Sequence, residues 1–184
     1  MLRALPLVLL LPVIAAAQTL ATSTPPVALT PAEWKSYDVL VEFRTLPRTY
    51  SCDELWHKVR DVLLQLGARA YMTITPFDCG SSHGEEARSP SVEVKFQLPE
   101  PLRGGATQYA ETTVSEQAVR LAPGTPSSLQ PGDCELMRQM EDTLLAGLPV
   151  HITASAFDCT AAAKSFTLTL NAPLTARAGT APHS

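Results

Sequence analysis

Four cysteines, Cys52, Cys79, Cys134 and Cys159, are the residues whose type and spacing point most directly to chemistry. A thiol can close a disulfide, ligate a soft metal or take part in redox exchange, and compartment and spacing decide which. Redox pairs usually sit as Cys-x-x-Cys, whereas these cysteines are far apart and so point to cross-links. The loop after Cys79 runs Gly-Ser-Ser-His83-Gly-Glu85-Glu86 and brings a thiol, an imidazole and two carboxylates close together in sequence. Such a set can hold a metal ion in a reducing compartment. After export Cys79 is expected to be oxidised, and the loop then becomes a polar hairpin connection. Behind Cys159 the chain instead reads Thr-Ala-Ala-Ala-Lys164, so a metal site would occur only once.

Other candidates have plainer explanations. Met137 and Met140, together with Met72, offer soft thioethers, but the i, i+3 spacing of the first two is that of a helix core stripe. His57 lies beside Trp56, one residue off an apolar helix face. His151 falls in a strand-like segment and His183 in the tail, so no histidine completes a ligand pattern. The carboxylate pairs Asp53-Glu54 and Glu85-Glu86 suit a helix cap and a solvated loop. A Gly-x-Ser-x-Gly elbow, a His-Glu-x-x-His helix and a glycine-rich phosphate loop are all lacking. No catalytic residue, cofactor or metal is therefore expected.

The N-terminus describes a route rather than a site. Met-Leu-Arg is followed by an apolar run from Ala4 to Ala17 that ends in three alanines, the parts of a secretory signal peptide. The run is shorter than the roughly 20 apolar residues of a membrane span and contains Pro6 and Pro12. Cleavage is expected after Ala17, with Ala21 as the fallback. It removes Arg3 and takes the formal net charge from −4 to −5. Nucleic acid and anionic membrane both recruit dense Lys and Arg, so this balance argues against either as a partner. Ten arginines against four lysines, with a single asparagine, suit a GC-rich bacterial genome. A periplasmic or secreted location follows, where an even number of cysteines forms disulfides.

Residues 1–17 are read as the signal peptide and 18–31 as an uncharged Thr/Pro-rich linker without order. A first β-α-β-β unit is expected over 32–103. It opens with a strand at Asp38 to Arg44, where Val39, Val41 and Phe43 share one face. Ser51 and Glu54 then form a capping-box pattern ahead of the helical stripe Leu55, Val59, Val62, Leu63 and Leu66, closed by Gly67. Ala70 to Phe77 and the alternation Val92, Val94, Phe96, Leu98 supply two more strands. After a short link at 104–108, a second unit over 109–175 repeats the order. Its pieces are a strand within Thr112 to Leu121, a helix capped by Asp133 and running from Cys134 to about Ala146, the strand Val150 to Phe157, and the alternation Phe166, Leu168, Leu170. Phe77-Asp78-Cys79 answers Phe157-Asp158-Cys159. The tail 176–184 is expected to fray.

Four cysteines allow three pairings, and geometry selects one. From Cys52 a helix climbs roughly 21 Å before Gly67 reverses the chain, and the next strand descends roughly 26 Å. Cys79 therefore returns to the level of Cys52, and the same reasoning joins Cys134 to Cys159. The expected fold is α+β: two tandem β-α-β-β repeats, each a helix on a small mixed sheet, each stapled by one disulfide. The right-handed crossover rule gives each a split β-α-β arrangement analogous to half a ferredoxin-like fold. In function, the expectation is a noncatalytic exported binding module of the bacterial envelope, its partner an envelope or extracellular protein or a small ligand. The alternatives are a periplasmic metal-binding protein and an enzyme of undetected type.

Overall fold

The computed structural model describes residues 28–79, 89–104, 109–160 and 164–175. Within them the chain forms β1 (Thr30–Glu42), α1 (Cys52–Gln65), β2 (Thr73–Phe77), β3 (Ser91–Pro101), β4 (Thr112–Leu121), α2 (Cys134–Thr143), β5 (His151–Asp158) and β6 (Ser165–Thr175). The signal-peptide segment, most of the linker, the His83-Glu85-Glu86 loop and the tail lie outside the described residues.

The strands form one sheet in the order β2-β3-β1-β4-β6-β5, and every neighbouring pair is antiparallel. This overturns the expectation of tandem β-α-β-β repeats, each a helix on a small mixed sheet with its own disulfide. Two features of the chain account for the difference. First, β1 is longer than its apolar alternation suggests and starts at Thr30, in what reads as linker. It pairs with β3 across Ala32 to Glu42 and on its other edge with β4 through Thr30 to Ala32, so hydrogen bonding runs on across the expected boundary. Second, β3 lies between β1 and β2, and β6 between β4 and β5, as a split arrangement implies, but each runs antiparallel to both its neighbours, so the one continuous sheet has no parallel ladder and is not mixed. The buried side chains likewise form one cluster drawing on both helices and on β1, β2, β3, β4 and β6, with Ile152 and Phe157 of β5 packed against it.

The helices cover one face. Leu55, Val59, Val62 and Leu63 of α1 and Leu136, Met137 and Met140 of α2 are buried against Val41, Val92, Val94, Leu168 and Leu170 of the strands. The opposite face carries Asp38, Lys95, Thr73 and Thr169, exposed or half-exposed. Ser51 caps α1 as expected, its hydroxyl accepting from the Glu54 amide at 3.1 Å. The second helix ends sooner than its pattern implies, at Thr143, and gives way to a 3₁₀ turn over Leu145–Gly147. There the Thr143 hydroxyl donates back to the Gln139 carbonyl at 2.6 Å, a local bond that competes with helical continuation.

Both expected disulfides are present. Cys52 pairs with Cys79 and Cys134 with Cys159, each with a Cα separation of 5.3 Å. Each ties the first turn of a helix to the end of the strand that follows it. The chain-entropy argument gives each loop about 3–4 kcal/mol of stabilisation.

Gly67 shows how closely the parts approach. It sits at φ +86° after α1, where its amide donates to the Leu64 carbonyl and the Ala68 amide to the Leu63 carbonyl, a left-handed helix ending. A Cβ there would meet Leu174 Cδ2 of β6 at 2.9 Å. Gly67→Ala therefore combines an unfavourable backbone region with a steric contact, and we expect a loss of about 1–2 kcal/mol in urea-unfolding stability with the disulfides intact. A variant as stable as the parent would contradict the close approach of α1 to β6.

Candidate functional site

Helical spacing puts an ammonium group where a hydrocarbon is expected. Lys58 lies between Leu55 and Val59 on the stripe that α1 buries, and is 2% exposed. A charge so placed is tolerated only if paired and hydrogen-bonded. Its partner is Asp133, which is wholly buried. Sequence reading makes Asp133 the cap of α2, but its side chain makes no capping bond to that helix. The carboxylate instead accepts four hydrogen bonds. Oδ2 takes Lys58 Nζ and the Gln130 amide, both at 2.7 Å, and Oδ1 takes the Arg48 guanidinium at 2.7 Å and the Tyr50 hydroxyl at 3.1 Å. Lys58 also donates to the Ser128 carbonyl at 2.6 Å, and Arg48 pairs with Glu54 and lies 4.1 Å over the Tyr50 ring.

Two cations and two carboxylates thus form a balanced cluster joining the segment before α1, α1 itself and the segment before α2. Burial, and then the Asp133 charge, push the Tyr50 phenol well above its usual range, so it stays protonated and able to donate. Burial alone would lower the Arg48 guanidinium, but its bonds to Asp133 and Glu54 win and raise it. Lys, Asp and Tyr are residue types that move protons in many sites. Here every oxygen of Asp133 is occupied and none meets solvent, so the cluster is a latch.

The accessible feature is a strand edge. Peptide groups along a strand turn alternately to its two sides. The Phe43 amide donates to Pro90 and the Pro31 carbonyl accepts from Leu102, so odd-numbered residues of β1 face β3. Even-numbered ones face the other edge, and that edge is closed at both ends. At one end the Ala32 carbonyl accepts from the Glu111 amide, and the Trp34 amide donates to the Glu111 carboxylate at 3.3 Å. At the other, the Gln139 side chain of α2 imitates a strand: its oxygen accepts from the Arg44 amide at 2.7 Å and its nitrogen donates to the Arg44 carbonyl at 2.8 Å. Glu135 holds that amide in place by accepting from Gln139 Nε2 at 2.9 Å.

Between the closures, the outward peptide groups of Ser36, Asp38, Leu40 and Glu42 have no protein partner among the described residues. This edge borders a groove of about 540 Å³ whose walls include Leu40 and Glu42 on β1, Arg44 just beyond it, and Glu135, Gln139 and Asp142 on α2. Leu40 is 59% exposed there, a large apolar side chain facing water. Backbone donors and acceptors beside an apolar contact suit recognition of extended polypeptide.

The candidates from sequence fall elsewhere. Met137 and Met140 are buried in the core, while His57 and His151 are exposed, His57 edge-on to Trp56. All four cysteines are in disulfides. Among the described residues no three His, Cys, Asp or Glu side chains converge as metal ligands, and no helix is long and apolar enough to cross a membrane. Sequence reading missed Arg48, Tyr50, Lys58 and Gln139. Only Lys58 left a signal, as a lysine at a core position of an otherwise apolar stripe. No protein-family model, curated protein or solved structure matches this chain.

Asp133→Ala removes the buried anion shared by Lys58 and Arg48 and leaves Lys58 only the longer ion-pair contact to Glu54 at 3.4 Å, and we expect it to cost about 3–5 kcal/mol in urea unfolding. Lys58→Met should cost less, because Arg48 and Tyr50 still satisfy the carboxylate. Equal effects would show that Lys58 is not held by Asp133. The Glu135 carboxyl gives a second test. Burial would raise its pKa, but hydrogen bonds from Arg138 and Gln139 outweigh that and lower it below its ordinary 4.5. A lowered folded-state pKa stabilises above the unfolded value, and this contribution disappears as pH falls through the folded one. Stability should therefore drop below pH 4.5, and Glu135→Gln should flatten that part of the curve, measured by thermal unfolding between pH 2 and 6.

Proposed function

We propose that this protein is an exported, noncatalytic interaction module of the bacterial cell envelope, and that it binds by accepting a strand on the open edge of β1. The observation that carries this reading is the run of outward peptide groups from Ser36 to Glu42 that are unpaired among the described residues, beside exposed Leu40 and bounded by Glu111 and Gln139. Strand addition draws affinity from main-chain hydrogen bonds and specificity from alternate side chains. Two disulfides support an oxidising compartment. In the ionic cluster Asp133 and Lys58 are closed off from solvent and only Arg48 and Glu54 reach the surface, which speaks for binding over catalysis.

Leu40→Pro tests the reading, because it deletes one outward amide that the fold itself does not use, and an edge strand tolerates proline there. A photoreactive residue at position 42 should yield a discrete cross-linked adduct in the periplasm of the bacterium that encodes the protein. The same probe at position 120, on another strand, should not. The adduct should disappear when Leu40→Pro is added while the thermal midpoint stays within a few degrees. An adduct that forms equally at both positions, or survives the proline, would remove the edge as the binding site.

A further inference from the structure

Resting on the strand-addition reading, we infer that the edge takes a segment of a partner polypeptide with the alternation basic-x-apolar-x-basic, and not a second copy of this chain. The unpaired stretch from Ser36 to Glu42 is about 20 Å long, room for an added strand of roughly seven residues. Its outward side chains are Ser36, Asp38, Leu40 and Glu42, all exposed. A strand added beside them sets its own side chains directly opposite, where unlike charges attract and like charges repel. Leu40 therefore asks for an apolar residue, and Asp38 and Glu42, two positions away on either side, ask for cations.

The surrounding charges favour the same guest. Lys95 approaches Asp38 at 3.5 Å, but both are more than half exposed and Lys95 is shared with Glu93 at 3.0 Å. Glu42 has no ion-pair partner among the described residues, and Asp142 feels only the longer-range charge of Arg138, which makes its ion pair with Glu135. Glu135 and Arg138 neutralise one another at 2.8 Å. Three carboxylates then stand against the single guanidinium of Arg44. A positively charged segment relieves this excess.

A second copy makes it worse. Antiparallel self-pairing centred on Asp38 sets that carboxylate against itself. Centred on Leu40, it sets Asp38 against Glu42 twice. Centred on Val39, it leaves Asp38 diagonal to both carboxylates of the other copy. A register shifted further, so that Asp38 meets Arg44, needs the Arg44 peptide group, which Gln139 already occupies.

Capped synthetic heptapeptides titrated into the full disulfide-bonded chain at low salt test this. One has lysines flanking a central valine, spaced by threonines, one has glutamates in place of the lysines, and two are lysine peptides N-methylated on either set of alternate amides. The lysine peptide should bind at least tenfold more tightly than the glutamate peptide. It should weaken at least tenfold with one methylation set but not the other, and lose the same with the double variant Glu42→Gln, Asp142→Asn. If the lysine and glutamate peptides bind equally and one methylation set abolishes binding of the lysine peptide, the basic assignment fails while strand addition stands. If no peptide binds, or methylation has no effect, both fail. A concentration-dependent dimer in gel filtration that is lost in Leu40→Pro would overturn the inference in favour of a second copy.

Discussion

A carboxylate with no access to water sets the arrangement of this molecule. Asp133 is accommodated in the interior because four donors from four separate positions, Arg48, Tyr50, Lys58 and the Gln130 amide, converge on its two oxygens. Each donor must be where it is for the others to suffice, since an unpaired charge at that depth costs several kcal/mol. A buried ion pair adds little net stability compared with well-packed hydrocarbon, but it penalises every near-native packing in which one partner is missing. The cluster therefore acts chiefly as a register pin between the segment before α1, α1, and the start of α2.

What that pin controls is the position of α2 against β1. The disulfides do not supply it. Each closes a loop made of one helix and the strand after it, Cys52 to Cys79 and Cys134 to Cys159, and neither crosses from the first three strands to the last three. The crossing is noncovalent: three residue pairs between β1 and β4, the shared core, the Gly67–Leu174 contact and the Asp133 cluster. With Asp133 anchored at the start of α2, Gln139 lies about one and a half turns further along, where its amide meets the Arg44 backbone. The groove beside Leu40 is thus a consequence of an ionic contact formed elsewhere along α2.

Sequence reading recovers what is encoded locally and loses what depends on partners. The α1 stripe, its Ser51 cap and its Gly67 stop are short-range patterns, and all three are found in the structure. The cysteine pairing also follows from local quantities, the rise of a helix and of a strand. The continuous sheet does not, because nothing in the side chains of Thr30 and Pro31 announces a ladder to β4, and Pro- and Thr-rich sequence ordinarily reads as linker. Asp133 presents the signature of a helix cap and is drawn instead to three distant side chains. The open edge is the least legible feature. Backbone donors are identical at every residue, so an unpaired run shows only once the neighbouring strands are known.

An exposed strand edge is a hazard, since it templates pairing with any other edge, and proteins blunt it with charge, bulges or cover. Here cover is applied at the two ends, by Glu111 and by the Gln139 amide, and charge is applied between them, by Asp38 and Glu42 around Leu40. A chain that needed only protection would have its edge covered throughout. Leaving four outward peptide groups open while flanking the exposed leucine with two carboxylates does something narrower. On the strand-addition reading proposed above, it keeps copies of this acidic chain apart and leaves the edge available to a strand of opposite charge, so the residues that guard against aggregation would also be the ones that select a partner.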